Sequence, residues 1–214
     1  DIKVIYYGHD LHFLREYREY ELTGDIKKKR ESDYWKSIEF SLMEKAAVSY
    51  YPSYVEEEAI HAIHPEYKIK AITAYVYEKF LENIDKDFAK REGLLFVGGF
   101  AHPPNADAVL WFAKEIFPLI RQKINVNFYV VGSKVTDEIK ALEQPGSGII
   151  VKGFVTEEEL ASLYSTSRIV VVPLRYGAGV KGKVVEAVYN GSAIVTTSIG
   201  SEGIPEAERV MKVA

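Results

Sequence analysis

The chain has 214 residues, of which 47% are hydrophobic and 27% are charged, which is enough to build one large or two small globular domains. The absence of cysteine excludes a disulfide scaffold, a thiolate metal site and a cysteine nucleophile. The net charge of −4 argues against broad nucleic-acid binding, so no nucleic-acid partner is expected, and no apolar run reaches the length of a membrane span. Since no secretory signal is visible and cysteine is absent, we expect a cytoplasmic protein.

Charge is unevenly distributed along the chain. Residues 1–93 carry a net charge of −4, whereas residues 94–214 carry a net charge of zero. The change falls at a charged stretch, residues 83–93, that is typical of a linker. The composition therefore predicts two domains, residues 1–93 and residues 94–214.

The first part of the chain shows few secondary-structure signals. Strands are predicted at residues 2–7, 48–51 and 68–72, and helices at residues 31–45 and 53–63. About three strands are too few for a stable doubly wound domain. We therefore expect residues 1–93 to be the last part of a larger domain together with the linker.

Strand and helix signals alternate regularly in the second part. Strands are predicted at residues 94–98, 127–132, 148–152, 168–173 and 192–197. Helices are predicted at residues 108–124, with a start signal at 103–107, and at residues 135–142, 156–164 and 183–189. This alternation predicts an α/β fold with a doubly wound parallel sheet.

A glycine-rich loop, residues 176–182, follows the fourth of these strands and leads into a helix. Glycines let backbone N–H groups approach a ligand closely, and the start of a helix favours an anion. Arg175, Lys181 and Lys183 add positive charge, and Glu186 could accept hydrogen bonds from ribose hydroxyls. The pattern indicates a nucleoside diphosphate site; the alternative is a flexible turn with solvated lysines.

A second glycine pair, Gly98–Gly99, ends the strand at residues 94–98. Ligands of open α/β sheets bind at such carboxyl ends. No third glycine follows, since Pro103 and Pro104 stand where it would be, which argues against a nicotinamide dinucleotide.

Together these motifs resemble the carboxyl-terminal domain of group 1 (family 4) glycosyltransferases, which have the GT-B fold. The matching pieces are FVGG at 96–99, NAD at 105–107, GAG at 177–179, KVVEA at 183–187 and GSEG at 200–203. The resemblance implies a parallel-sheet domain at 94–214, with further helices expected after Ala214, preceded by part of an amino-terminal Rossmann-like domain.

The resemblance also implies a function. Such enzymes transfer a sugar from a nucleotide-diphosphate sugar to a glycan or lipid-linked acceptor, usually with retention of configuration and without a bound metal or other cofactor. We therefore expect a role in glycan or polysaccharide biosynthesis. Peripheral contact of the full-length protein with a membrane would be compatible with this role. The alternatives are a non-catalytic nucleotide-binding module and a sugar-nucleotide epimerase of the same fold.

The resemblance implies a set of donor-binding residues. Glu186 would bind the ribose, and the two glycine segments would face the diphosphate and the sugar. The whole predicted set is Gly98, Gly99, Arg175, Gly179, Val180, Lys181, Lys183 and Glu186. The family often has a glutamate where Ala178 stands, and an Arg and a Lys near Phe100 and His102, so Arg175 and Lys181 are candidates to compensate.

A histidine segment follows the first predicted strand. In the family, a histidine late in the amino-terminal domain faces the donor sugar, which makes His9 the predicted catalytic residue and His12 the alternative. Both could instead be ordinary loop histidines. In the family this histidine faces the sugar across the cleft between the two domains, so Arg15 and Arg18 would either line that cleft or form a solvated helix face.

Overall fold

A computed structural model describes residues 2–82 and 87–214. The first four residues of the predicted linker, 83–86, lie outside the described residues. The chain forms two compact units. One contains the described residues up to Val76 together with Tyr176–Lys181 and Ser201–Pro205, and the other contains Tyr77–Arg175, Gly182–Gly200 and Glu206–Ala214.

The first unit is built on a parallel sheet of three strands. Its elements are β1 (Ile5–Tyr7), α1 (His12–Thr23), α2 (Ile26–Lys45), β2 (Val48–Tyr51), α3 (Tyr54–His61) and β3 (Ile69–Ala71). The strand order is β1-β2-β3, with Ile5 opposite Val48 and Ser49 opposite Ile69. Its core contains Leu11, Phe13, Met43, Tyr51, Ile60 and Ile69. The three strands fall where the sequence predicts them.

Helix α1 is absent from the predicted elements, and the start of α2 lies five residues before its predicted position at Glu31. The N-cap of α1 is Leu11, whose side chain cannot cap a helix. The buried carboxylate of Glu39, on α2, instead accepts hydrogen bonds from the backbone N–H groups of His12 (2.9 Å) and Phe13 (3.1 Å). The capping group of α1 is therefore more than 20 residues away from it in the sequence.

Replacing Glu39 with alanine should lower the free energy of unfolding by about 2 kcal/mol, because two N–H groups at the start of α1 lose their acceptor. Urea unfolding of both chains measures the difference. Glu44→Ala is the matched control, since Glu44 lies exposed on the same helix. Equal stability of the two variants would contradict the capping role.

The second unit has a six-stranded, entirely parallel sheet in the order β6-β5-β4-β7-β8-β9. Its strands are β4 (Leu94–Val97), β5 (Phe128–Val131), β6 (Ile149–Gly153), β7 (Ile169–Val172), β8 (Ile194–Thr196) and β9 (Lys212–Val213). Its helices are α4 (Pro103–Trp111), α5 (Phe117–Arg121), α6 (Asp137–Lys140), α7 (Glu157–Thr166), α8 (Gly182–Tyr189), α9 (Ser198–Ser201), which ends in the first unit, and α10 (Ala207–Val210).

The predicted parallel-sheet architecture of this part is confirmed, and its five predicted strands are β4 to β8. The predicted helix 108–124 begins at Pro103, within its predicted start at residues 103–107, and contains a π-helical turn at Phe112–Ile116. Strand β4 lies between β5 and β7, so the strand order reverses beside it. The carboxyl end of β4 is therefore the switch point at which α/β sheets bind ligands.

The two compact units do not divide at the composition change. The division follows Val76, so the described part of 77–93 clusters with the second unit rather than the first. One contact that holds this segment is the ring of Tyr77, which stacks on Tyr189 of α8 with centroids 4.0 Å apart. None of the helices within the described ranges is both long and apolar enough to cross a membrane.

Candidate functional site

A lysine is held at the carboxyl end of β4 by the surrounding groups. The Nζ atom of Lys183, near the start of α8, donates to Oδ1 of Asn105 and lies 4.6 Å from the centre of the Phe96 ring. Asn105 is buried and donates through Nδ2 to the carbonyl oxygen of Gly99 (2.8 Å). A Cβ atom at Gly98 would lie 2.7 Å from Lys183 Nζ, so a side chain at this position would displace the ammonium group from its present place.

Arg175 has a partner in its own unit. Its guanidinium forms a bidentate pair with the carboxylate of Asp107 on α4, with Nε to Oδ2 at 2.9 Å, and it lies 5.6 Å from the centre of the Trp111 ring. Asp107 therefore orients Arg175 and balances its charge. Phosphate binding by Arg175 stays a prediction.

Glu186 lies in the second turn of α8 and is half-buried. Its Oε2 atom accepts a hydrogen bond from the hydroxyl of the buried Tyr164, on α7, at 3.1 Å. Burial and the charge of Glu186 raise the pKa of Tyr164, so its hydroxyl keeps the proton that it donates. Within the part of the chain that the structure describes, Oε1 of Glu186 accepts no hydrogen bond.

Residues 176–181 of the glycine-rich loop belong to the first unit, where they pack against the histidine segment. Gly179 has a φ of +75°, and a Cβ atom there would lie 2.9 Å from both the carbonyl oxygen of His9 and the Cβ atom of Asp10. Arg18, on α1, donates to the carbonyl oxygen of Gly177 at 2.6 Å. The structure therefore brings the loop and the His9 segment together.

Lys181 lies inside this loop and is only 8% exposed. It donates to the carbonyl oxygen of Gly179 (2.5 Å), and its Nζ atom is 3.9 Å from Oε1 of Glu202. Glu202 also forms a bidentate pair with Arg18, at 2.7 and 2.9 Å. Burial lowers the pKa of Lys181 to about 8, although the nearby Glu202 carboxylate opposes this shift.

The lowered pKa of Lys181 predicts a pH dependence of stability. Its ordinary value is 10.5, so between about pH 8 and pH 10.5 the unfolded chain binds more protons than the folded chain. The contribution of Lys181 to the free energy of unfolding should therefore rise with pH in this window, by roughly 3 kcal/mol at most. Lys181→Met should remove this rise from urea unfolding measured at pH 7 to 10.

The control for that experiment is Lys123→Met, at an exposed lysine of the second unit. It should keep the pH dependence of the parent chain. If the free energy of unfolding of Lys181→Met varied with pH as that of the parent chain does, burial of the Lys181 ammonium group would not destabilise the folded chain.

The two candidate histidines have different surroundings. His9 is exposed, and its ring meets that of Tyr7 edge-on with centroids 5.4 Å apart. His12 is half-buried, stacks on Trp35, and has Nδ1 3.1 Å from Oε1 of Glu39. This hydrogen bond raises the pKa of His12. His12 is thus part of the network at the start of α1, and the catalytic role of His9 stays a prediction.

The arginines of α1 form ion pairs and are not a solvated face. Arg15 pairs with Asp10 at 2.5 Å, and Arg18 pairs with Glu202; both side chains are largely buried. The sequence interpretation assigned no role to several residues of these networks, among them Asp10, Asn105, Tyr164 and Glu202. Asn105 and Glu202 stand inside the motifs that carry the resemblance, whereas no sequence signal singles out Tyr164.

The protein is thus a parallel-sheet α/β protein in which Lys183 is held at the switch point of the sheet. A model of the family described as "Glycosyl transferases group 1" matches residues 91–212, which is more than half of the chain. The protein therefore belongs to the group 1 glycosyltransferases, as the motifs predicted.

A curated relative is similar to part of this chain in sequence. It is the "Uncharacterized 44.6 kDa protein in cps region" of Klebsiella pneumoniae, which is 30% identical over 142 residues. The match covers 63% of this chain and 34% of the relative, so the chain spans about a third of the length of that protein.

Solved structures share the fold. Sucrose-phosphate synthase from Thermosynechococcus elongatus superposes with a TM-score of 0.76 at 16% identity, covering 100% of this chain and 55% of that one. Anabaena Alr3699/HepE, solved in complex with UDP and glucose, superposes with a TM-score of 0.64 at 16% identity, covering 99% of this chain and 57% of that one. The predicted α/β fold of the GT-B type is confirmed.

Proposed function

We propose that this chain is part of an enzyme that transfers a glycosyl group from a nucleotide-diphosphate sugar to a glycan or lipid-linked acceptor, with retention of configuration. The observation that carries the proposal is the position of Lys183. Its ammonium group is fixed beside Gly98 at the switch point of the sheet, close to the start of a helix, where an anion is favoured.

The residues of the second unit suit a diphosphate leaving group. Bond breaking at the sugar leaves negative charge on the diphosphate, and Lys183 and the N–H groups at the start of α8 would stabilise this charge. Gly98 and Gly99 allow the backbone to approach the phosphates. Glu186 would hold the ribose through its hydroxyl groups.

The other predicted residues, apart from Arg175, lie in the first unit, and their roles are proposed for that unit by itself. His9 is the candidate catalytic residue there because its ring is exposed, while His12 is engaged by Glu39. In the loop, Gly179, Val180 and Lys181 are candidates for contacts to the donor. Lys181 is buried and bound to a carbonyl oxygen, so we propose that it shapes the loop.

A transfer assay with the full-length protein tests the proposal. Since HepE was solved with UDP and glucose, UDP-glucose is the first donor to try, followed by UDP-N-acetylglucosamine and GDP-mannose with a panel of glycan acceptors. Release of nucleoside diphosphate that depends on the acceptor is expected, and NMR of the product reports its configuration. Binding without transfer would favour the non-catalytic module, and sugar interconversion without an acceptor would favour an epimerase.

A further inference from the structure

We propose that Tyr164 is a positioning residue, which orients the Glu186 carboxylate for the ribose of the donor nucleotide. The inference rests on the proposed function, in which Glu186 binds the ribose. Tyr164 itself would not touch the ligand and would act through Glu186.

Tyr164 is built into the second unit as a rigid donor. It lies in the last turns of α7, and its side chain is among the largest that are fully buried. Its carbonyl oxygen accepts a hydrogen bond from Ser192, which follows α8, at 3.4 Å. The hydroxyl is thus presented from α7 to the carboxylate of Glu186 on α8, across a distance of 3.1 Å.

This contact controls what the carboxylate can do. An ionised carboxylate offers two oxygens with about four lone-pair sites, and a phenol hydroxyl has a single proton to donate. With Oε2 of Glu186 held by Tyr164, the plane of the carboxylate is set and Oε1 remains to accept from a ribose hydroxyl.

The reverse arrangement, in which Tyr164 serves as a base, is disfavoured. Burial and the adjacent carboxylate both raise the pKa of Tyr164, so the phenolate form is scarce near neutral pH. The hydroxyl therefore remains a donor while the nucleotide binds. If Tyr164 positions Glu186, its hydroxyl is the group that matters. If Tyr164 only fills space in the core, its ring is the group that matters.

A double-mutant cycle separates the two roles. UDP, GDP and ADP are titrated into the full-length protein by calorimetry, and the tightest binder is compared with its 2′-deoxy analogue. The chains are the parent, Tyr164→Phe, Glu186→Gln and the double variant. Tyr129→Phe is the matched control, because it removes a hydroxyl from a half-buried tyrosine of β5, a strand of the same unit.

We expect Tyr164→Phe to weaken binding of the ribonucleotide by about three- to tenfold and to affect the 2′-deoxy analogue less. In the Glu186→Gln background the same change should have less than about a twofold effect. In the transfer assay the loss should appear in the donor KM, with kcat within about twofold. Tyr129→Phe should leave all of these values unchanged.

Two kinds of failure are distinguishable. If Glu186→Gln weakens ribonucleotide binding but Tyr164→Phe has no effect, acts equally on the deoxy analogue or adds fully to Glu186→Gln, the positioning role is wrong. If no nucleotide binds, or if Glu186→Gln leaves binding unchanged, the proposed function of the site fails, and the inference that rests on it fails as well.

Discussion

Replacing Lys183 with alanine should weaken binding of a nucleoside diphosphate by about 1–3 kcal/mol, which is roughly 5- to 150-fold in Kd. The ammonium group is presented at the carboxyl end of β4 by Asn105, and Gly98 provides the space in which it lies. A charged hydrogen bond to a phosphate in this partly buried place is stronger than one in water. Its loss should therefore be among the largest single effects on donor binding.

Calorimetric titration at fixed ionic strength measures this effect, since salt screens interactions between charges. Lys114→Ala is a suitable control, because it removes the same charge from an exposed lysine that pairs with Glu138. Affinity of Lys183→Ala equal to that of the parent chain would remove Lys183 from the site. The Lys114 variant should bind as the parent chain does.

Replacing Glu186 with glutamine should weaken ribonucleotide binding by about tenfold and lose most of this effect against a 2′-deoxy analogue. A carboxylate can accept hydrogen bonds from both vicinal hydroxyls of a ribose. A glutamine amide has only one oxygen that can accept, and its second polar group is an NH2 group, which donates. Tyr164 would also lose its carboxylate acceptor. In the full-length enzyme the loss of efficiency should appear mainly in the donor KM.

The pH profile of the Glu186→Gln enzyme distinguishes ribose binding from general-base catalysis. A ribose ligand should leave the shape of the kcat profile intact, while loss of a general base would abolish most of kcat together with its low-pH limb. Such a collapse with unchanged donor affinity would refute the ribose assignment. Glu208→Gln, at an exposed glutamate of α10, provides the control for loss of a negative charge.

The alternation of strands and helices in residues 94–214 is determined by local sequence. Each central strand is a short apolar run, as in Leu94–Val97 and Ile169–Val172. Both faces of a parallel sheet are covered, so such a run is recognisable without knowing which strand pairs with it. Helix α7 begins at a capping box formed by Thr156 and Glu159, three residues apart. These signals span only a few residues, so the sequence alone was sufficient to predict the parallel sheet.

The glycine motifs also mark the two loops correctly as loops, but the sequence could not assign them to a unit. Residues 176–181 follow a strand of the second unit and yet cluster with the first, where Gly179 meets His9 and Asp10. The composition change near Gly93 likewise does not mark the division after Val76. Composition averages over many residues, whereas a unit is defined by contacts between distant segments.

Only the tertiary structure decided which polar groups hold one another. Glu39 caps α1 from 26 and 27 residues away, Tyr164 reaches Glu186 over 22 residues, and Lys183 reaches Asn105 over 78. A hydrogen bond depends on distances of about 3 Å and on direction, and no periodicity in the sequence encodes either. The family and the order of the elements from β4 to β8 were therefore readable from local patterns, while the networks that orient the candidate site became visible only once the chain was folded.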